Sequence, residues 1–270
     1  MIPVTLSIAG SDCSAGAGIQ ADLKTFSTFR THGLTALTCV VSETAHQVES
    51  VLPLPPEFVA SQIRLLLSAF PVAAIKTGML FSRAHMVATL DALAKHPAPL
   101  VVDPVMIAST GTALIEPDAI AYYRSHFLPL ATLVTPNLDE AAALLEVPAI
   151  TRDGLADAAR ALHEQFACPV LLKGGHLRDN TATDLLVMDG GALHTFEAPF
   201  IHGVSTHGTG CTYSAAITAG LALGLALPEA VAQAKTFITR AIRETMVWTM
   251  PAGRIEALNQ LPEVAKIFRD

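Results

Sequence analysis

Charge is scarce in this 270-residue chain: 15% of its residues are Asp, Glu, Lys or Arg against 51% hydrophobic, and the net charge is −7. Such a composition is too apolar for a disordered chain and suits one rich in buried strands. Basic runs are missing, and with the negative balance this argues against nucleic acid or anionic lipid as a partner. The longest apolar stretch, Ala215 to Leu227, is too short to span a bilayer and holds two glycines, so no membrane association is expected. Met1 to Gly10 lacks a positive segment or cleavage pattern and reads as a first strand, which predicts a cytoplasmic protein. Only four cysteines occur (Cys13, Cys39, Cys168, Cys211), with no CxxC pair, which excludes a zinc knuckle or disulfide scaffold and leaves reduced thiols. The ten histidines include no HExxH, and their dispersal assigns most of them to surface or loop positions.

What is present is an alternation of short apolar runs with amphipathic stretches. Val4–Ala9, Leu34–Val41, Val72–Ile75, Leu100–Val102, Thr132–Thr135 and Val170–Leu172 have the length and Val/Ile/Leu/Thr content of buried strands. Between them Ile19–Phe29, Glu57–Ala69, Arg83–Lys95, Pro117–Phe127, Leu138–Leu145 and Leu155–Phe166 have helix length. The pattern predicts a mainly parallel sheet covered by helices, in one α/β domain over residues 1–270. Asp189-Gly190-Gly191 between Leu185–Met188 and Leu193–Phe196 predicts an antiparallel hairpin at one edge. Two long helices are expected after it, Thr209–Leu225 and Pro228–Thr249.

Ligands of open α/β sheets sit beyond the carboxyl ends of the strands. The unusual residues fall there. Thr206-His-Gly-Thr-Gly-Cys-Thr212 frames a helix start with two glycines. Its amides, Gly208 to Cys211, either bind an anion or merely cap a helix. Cys211 on that first turn is either a thiol whose pKa the helix dipole lowers, able to take a proton from an attacking hydroxyl, or a small buried hydrophobe. Asn137 and Glu140 share a helix face and suit either water-mediated magnesium binding or a capping box. Asp103 is a turn residue or a ligand to metal and phosphate, and Lys173, before Gly174-Gly175, is a phosphate-reaching or a solvated loop lysine. The loop Gly10-Ser-Asp-Cys-Ser-Ala-Gly-Ala-Gly18 lacks both the GK[ST] ending of a P-loop and the dinucleotide fingerprint, so it reads as a substrate-side loop. Asp22, on the following helix, either points at a polar ligand or is a solvated helix acid.

Together these segments resemble the hydroxymethylpyrimidine/phosphomethylpyrimidine kinases of the ribokinase-like superfamily. The resemblance covers nearly the whole chain and rests on Ile8-Ala-Gly-Ser-Asp12, Ala17-Gly-Ile-Gln-Ala-Asp-Leu-Lys-Thr-Phe26, Lys76-Thr-Gly-Met-Leu80, Asp103-Pro-Val-Met106, Thr135-Pro-Asn137, Glu140, Lys173-Gly-Gly-His176 and Thr206-His-Gly-Thr-Gly-Cys211. It implies a three-layer α/β/α sandwich, ATP and Mg2+ as cofactors, a homodimer, and phosphorylation of 4-amino-5-hydroxymethyl-2-methylpyrimidine and then its monophosphate. By the same match Cys211 is the base, and Gly208, Thr209 and Gly210 form the anion hole. Asp103 and Glu140 attend the metal, Asn137, Lys173 and Lys235 lie on the nucleotide side, and Gly10, Asp22, Glu43, Met79 and Val105 line the pyrimidine pocket.

Two departures stand out. Ala108-Ser-Thr-Gly111 lacks the lysine of the family's Ala-Lys-Ser-Gly. More sharply, the family's Ala-Gln-Asn-Thr glutamine falls on Glu43. An amide both donates and accepts, whereas an ionised carboxylate only accepts. Glu43 therefore must be protonated, face a protonated ring nitrogen, or serve another substrate, and a vitamin B6 kinase with the same machinery is the alternative enzyme. A catalytically silent sensor is the alternative from another class, and the joint presence of Asp103, Asn137, Glu140, Lys173 and Cys211 argues against it.

Overall fold

The computed structural model describes residues 1–94, 96–106, 115, 117–175, 180–251 and 253–261. Its nine-stranded sheet takes the order β3-β2-β1-β4-β5-β6-β7-β8-β9. The strands are β1 (Val4–Asp12), β2 (His32–Thr44), β3 (Gln47–Pro53), β4 (Val72–Thr77), β5 (Leu100–Val102), β6 (Leu133–Val134), β7 (Val170–Lys173), β8 (Thr181–Val187) and β9 (Leu193–Pro199). Strands β2, β1, β4, β5, β6 and β7 run parallel, while β3 and the β8–β9 hairpin are antiparallel additions. The expected antiparallel hairpin is present, but the opposite edge is antiparallel too. The sequence offered no buried run there, because β3 is an outer strand whose residues are exposed or half-buried.

The parallel strands are apolar on both faces because each face is covered. Val102, Val134 and Leu172 pack into one core with Val170, whereas Val101, Leu133 and Leu171 point into a second. The first core is roofed by side chains of α2 (Pro56–Ala69), α3 (Arg83–Leu93), α4 (Pro117–Tyr122), α5 (Leu138–Leu145) and α6 (Leu155–Phe166). The second lies under α7 (Thr209–Ala222) and α8 (Leu227–Arg243), with α1 (Gly18–Thr28) packed beside α7. This is the expected three-layer α/β/α sandwich. No helix among the described residues is long and apolar enough to cross a membrane.

Helices α5 and α6 take the bounds that their periodicity predicts. The last helix does not reach Thr249: it ends at Arg243, and an antiparallel pair β10 (Met246–Met250) and β11 (Gly253–Ala257) follows. Val247, Trp248 and Thr249 favour strand, and Pro251 cannot continue a ladder or a helix interior. Helix α7 likewise stops at Ala222, before Gly224 at φ +86°. The expected helix Pro117–Phe127 is α4 continued by a π-helical turn over Tyr123–Phe127. His176 and the Ala108–Gly111 departure lie outside the described residues.

Candidate active site

Strand β1 lies between β2 and β4, so the chain leaves it on one side and returns on the other. The loops after these strands diverge and open a crevice at their carboxyl ends. Asp12, Gly78, Asp103, Asn137 and Lys173 all lie at or just beyond such ends. The amino end of α7 meets them from the covering layer: a Cβ on Gly210 would lie 3.3 Å from Lys173 Nζ and 3.4 Å from Asp103 Oδ2. Gly208 precedes it at φ +81°, and any side chain there would overlap the Gly16 carbonyl oxygen. Glycine is thus required twice over, by conformation and by the close approach of the first loop. The helix has no side-chain cap; the Thr209 amide donates to the Thr206 carbonyl at 3.2 Å, and an uncapped helix start of this kind suits an anion.

Cys211 is partly exposed on that turn, and the Gly18 N–H points at its sulfur. Burial pushes the thiol up to about 11, although Lys76 and the Gly18 amide pull it down. The expectation that the helix dipole lowers this pKa is therefore corrected: desolvation, together with the charges of Asp22 and Asp103, outweighs it.

Asp103 is buried and held on three sides. Lys173 Nζ donates to Oδ1 at 3.0 Å, Thr135 Oγ1 to Oδ1 at 3.2 Å and Ser214 Oγ to Oδ2 at 3.2 Å. Asn137 and Glu140 form the capping box: Asn137 Oδ1 accepts from the Glu140 amide at 2.9 Å, and Glu140 Oε2 from the Asn137 amide at 2.8 Å. Burial lifts the Glu140 carboxyl to about 8, with Asp103 adding to the rise and Lys173 opposing it. A second buried carboxyl beside Glu140 suits a divalent cation, which would favour the ionised form of Glu140. Among the described residues no three His, Cys, Asp or Glu side chains converge as a ready metal cage.

Beneath this centre lies an ion pair that sequence reasoning missed. Lys76 Nζ donates to Asp22 at 2.7 and 2.9 Å, Ser7 Oγ donates to Asp22 Oδ2 at 2.5 Å, and both charged side chains are fully buried. Burial works against the ammonium, and the Asp22 carboxylate outweighs it and holds Lys76 charged. Asp22 is thus no solvated helix acid, and both of its oxygens are engaged within the protein rather than turned to open solvent. Asp22→Asn will leave an uncompensated buried ammonium and cost about 3–5 kcal/mol in denaturant unfolding. A loss below about 1 kcal/mol would show that the pair contributes no more than a surface contact.

The first loop is organised on Asp12. Its carboxylate accepts from the amides of Ser14 (2.7 Å), Gly16 (3.0 Å) and Ala17 (2.7 Å) and from His207 Nε2 at 3.0 Å. Burial alone would raise this acid, but His207 and the loop amides outweigh burial and hold it at about 2. Against its ordinary 3.8 this contributes about 2 kcal/mol of stability. The folded pKa is depressed, so the contribution is complete above pH 4 and is lost as pH falls towards 2. Unfolding free energy followed from pH 5 to pH 2 will fall by about that much less in Asp12→Asn than in the parent. Equal falls would mean that Asp12 carries none of the acid sensitivity.

The remaining expected residues divide into two groups. On one side Met79 and Val105 join Cys39 and Val41 in a small apolar cluster. A Cβ on Gly10 would strike Cys39 Sγ at 2.7 Å. Glu43 is half-buried at the end of β2, its backbone gripped by Cys13, whose thiol donates to the Glu43 carbonyl at 3.2 Å. Burial raises the Glu43 carboxyl, and Asp12 raises it further. On the other side a cleft of about 160 Å3 is lined by Asn137, Lys173, Thr209, Gly210 and Lys235, with apolar walls from Phe200, Val204 and Ile238. Lys235 Nζ donates to Asp184 Oδ2 at 2.6 Å, so its charge is neutralised within the wall. Lys76, Asp12, His207, Ser214 and Asp184 were not assigned roles from sequence. The first three lay inside the quoted motifs, and only their partners, far away in the chain, give them meaning.

Residues 12–256 match the family model described as phosphomethylpyrimidine kinase. The chain is 45% identical over 90% of its length to the hydroxymethylpyrimidine/phosphomethylpyrimidine kinase of Rhizobium meliloti, 91% of which is covered. It is 44% identical over 92% of its length to the thiamine biosynthesis bifunctional protein ThiED of Geobacter sulfurreducens, and spans about half (50%) of that longer protein. Among solved structures, the pyridoxal kinase of Staphylococcus aureus in complex with AMP-PCP and pyridoxal superposes with a TM-score of 0.84 at 35% identity, covering 96% of this chain and 94% of that one. With the motifs, the sandwich and a match this long in agreement, the chain belongs to the phosphomethylpyrimidine kinase family.

Proposed function

We propose that this chain transfers the γ-phosphoryl group of ATP to the hydroxymethyl oxygen of 4-amino-5-hydroxymethyl-2-methylpyrimidine, and to the resulting monophosphate, for thiamin biosynthesis. The observation that carries the reading is Cys211 at the uncapped start of α7, one residue from a glycine packed on the Asp103–Lys173 pair. The 160 Å3 cleft takes the nucleotide on the Asn137, Lys173 and Lys235 side, and the Gly10, Met79, Val105 and Glu43 side takes the ring.

Phosphoryl transfer needs alignment and charge stabilisation more than covalent help. Cys211, as thiolate, accepts the hydroxyl proton as the oxygen attacks phosphorus and the bond to ADP breaks. The amides of Gly208, Gly210 and Cys211 hold the charge of the group in transit, that of Thr209 being taken by the Thr206 carbonyl, and Lys173 adds a cation at the same place. Asp103 and Glu140 would hold magnesium, with Asn137 beside them, and the ion when bound neutralises phosphate charge. In the second transfer the acceptor is a phosphate already ionised near neutral pH, so no base is required. A single nine-stranded central sheet, flanked by helices on both faces, supports treating residues 1–270 as a single kinase domain, and a cytoplasmic homodimer is part of the same reading.

Glu43 favours a second reading, a vitamin B6 kinase. A carboxylate suits a protonated pyridine nitrogen, whereas an aminopyrimidine needs a carboxyl that also donates; burial raises Glu43 in the direction of that neutral form, and His207 opposes it. Release of ADP with magnesium and ATP, offering hydroxymethylpyrimidine, its monophosphate and pyridoxal separately, decides between them. Preference for either pyrimidine is expected, and chelating the magnesium will abolish it. Pyridoxal as the best acceptor would replace the proposal with the B6 reading. Under the proposal Glu43→Gln will raise kcat/KM for hydroxymethylpyrimidine by about tenfold, the worth of one better-matched hydrogen bond. A fall instead would mean that the carboxyl itself is the better partner.

A further inference from the structure

Beyond β11 the chain turns back into the body of the protein. Leu258 is buried in the core beneath α7 and α8, and two residues later Gln260 is only 1% exposed. Its Nε2 donates to the Gly16 carbonyl oxygen at 3.3 Å and to Thr212 Oγ1 at 3.1 Å. Its own carbonyl accepts from the Thr28 hydroxyl at 2.6 Å. Both partners of the amide border the reacting centre. Gly16 O is the atom against which Gly208 packs, and the amide of Gly18, two residues on, faces the Cys211 sulfur. Thr212 is the residue after Cys211 and is fully buried. The strand before Gln260 reinforces the contact, because Glu256 Oε2 accepts from the Ser205 amide at 2.6 Å, on the loop that leads into Gly208.

We infer that Gln260 is a positioning residue for the transfer: its buried amide ties the first loop to α7 and so fixes Cys211 and the anion-binding amides relative to one another. This role rests on the reading under Proposed function, and Gln260 lies beyond residues 12–256 that match the family. The physical reason is economy of motion. The first loop and α7 are 190 or more residues apart in sequence, as the Asp12–His207 contact shows, and each bond across that gap removes freedom from the site. A displacement of about 1 Å between reacting groups can cost about 100-fold in rate.

Gln260→Met keeps the length of the side chain and removes its donor. We expect kcat to fall about 10- to 100-fold with either acceptor while KM for ATP stays within about twofold. The rate at which iodoacetamide alkylates the partly exposed Cys211, mapped by peptide mass, will rise at least about fivefold as the first loop, whose Gly18 amide faces the sulfur, draws away from it. Leu258→Ala, which weakens only the core anchor of the same segment, will lower Tm and leave kcat of the folded protein within about twofold. Gln260→Met with parental kcat and parental alkylation would overturn the inference, whatever its Tm. Should that variant fail to fold, Thr212→Val removes one of the two bonds and must show the same changes in smaller degree; parental values there overturn it equally. Alkylation is read without substrate, so a parent protein that phosphorylates neither pyrimidine refutes the assigned reaction while the thiol still decides the positioning role.

Discussion

Cys211→Ala will lower kcat for the hydroxymethyl acceptor by about 10²–10⁴, the range of a lost general base, and will change the transfer to the monophosphate by less than about tenfold. The asymmetry follows from the acceptors. A hydroxyl must lose its proton as it attacks, and under the proposed mechanism the sulfur at the start of α7 takes it. A phosphate oxygen arrives without one. Because burial holds the thiol at about 11, the thiolate is a minor species at neutral pH. The first transfer should therefore accelerate with pH through the range 7–10, by about tenfold per pH unit where chemistry limits the rate, and Cys211→Ala should lose that slope. Equal losses in the two transfers would assign the sulfur to holding the loop rather than to the proton.

Gly208→Ala will damage both transfers alike, by about 10²–10³ in kcat, as expected when an anion-binding donor is displaced. The added methyl has no place to go: it meets the carbonyl of Gly16, which Gln260 holds from behind, and φ +81° is itself unfavourable for alanine. Either the first loop shifts or the start of α7 does, and the amides leave the charge they face. Parallel kinetics of the two substrates provide the check. A loss confined to the hydroxymethyl acceptor would show that the loop acts only through Cys211.

Much of this architecture was legible in the sequence because burial on two faces leaves a plain record. Val101–Val102 and Leu171–Leu172 read as buried runs because neighbours point into opposite cores. The glycines of the Thr206–Thr212 motif and Asn137 with Glu140 lie close together in sequence, and local spacing sufficed to single them out. Of the two readings of Asn137 and Glu140, the capping box is formed, and the Glu140 carboxyl that closes it is buried. What remained hidden depends on distant partners or on burial. Asp12 and His207 are 195 residues apart, Lys76 and Asp22 are 54 apart, and no spacing rule joins either pair. Strand β3 escaped because an exposed edge lacks the apolar run that marks a central strand, and helix α8 was extended because its apolar pattern runs into a strand rich in Val, Trp and Thr. The thiol pKa was misjudged because a dipole is visible from a motif, whereas desolvation requires the surrounding packing.

The most direct test is to incubate the parent protein and Cys211→Ala with magnesium, ATP and hydroxymethylpyrimidine, or with its monophosphate, and to identify the products by mass spectrometry. The parent should form the monophosphate and then the diphosphate, while Cys211→Ala should stall with the first acceptor and still convert the second. Absence of any phosphorylated pyrimidine from the parent, or a variant that makes both products at parental rates, would contradict the account.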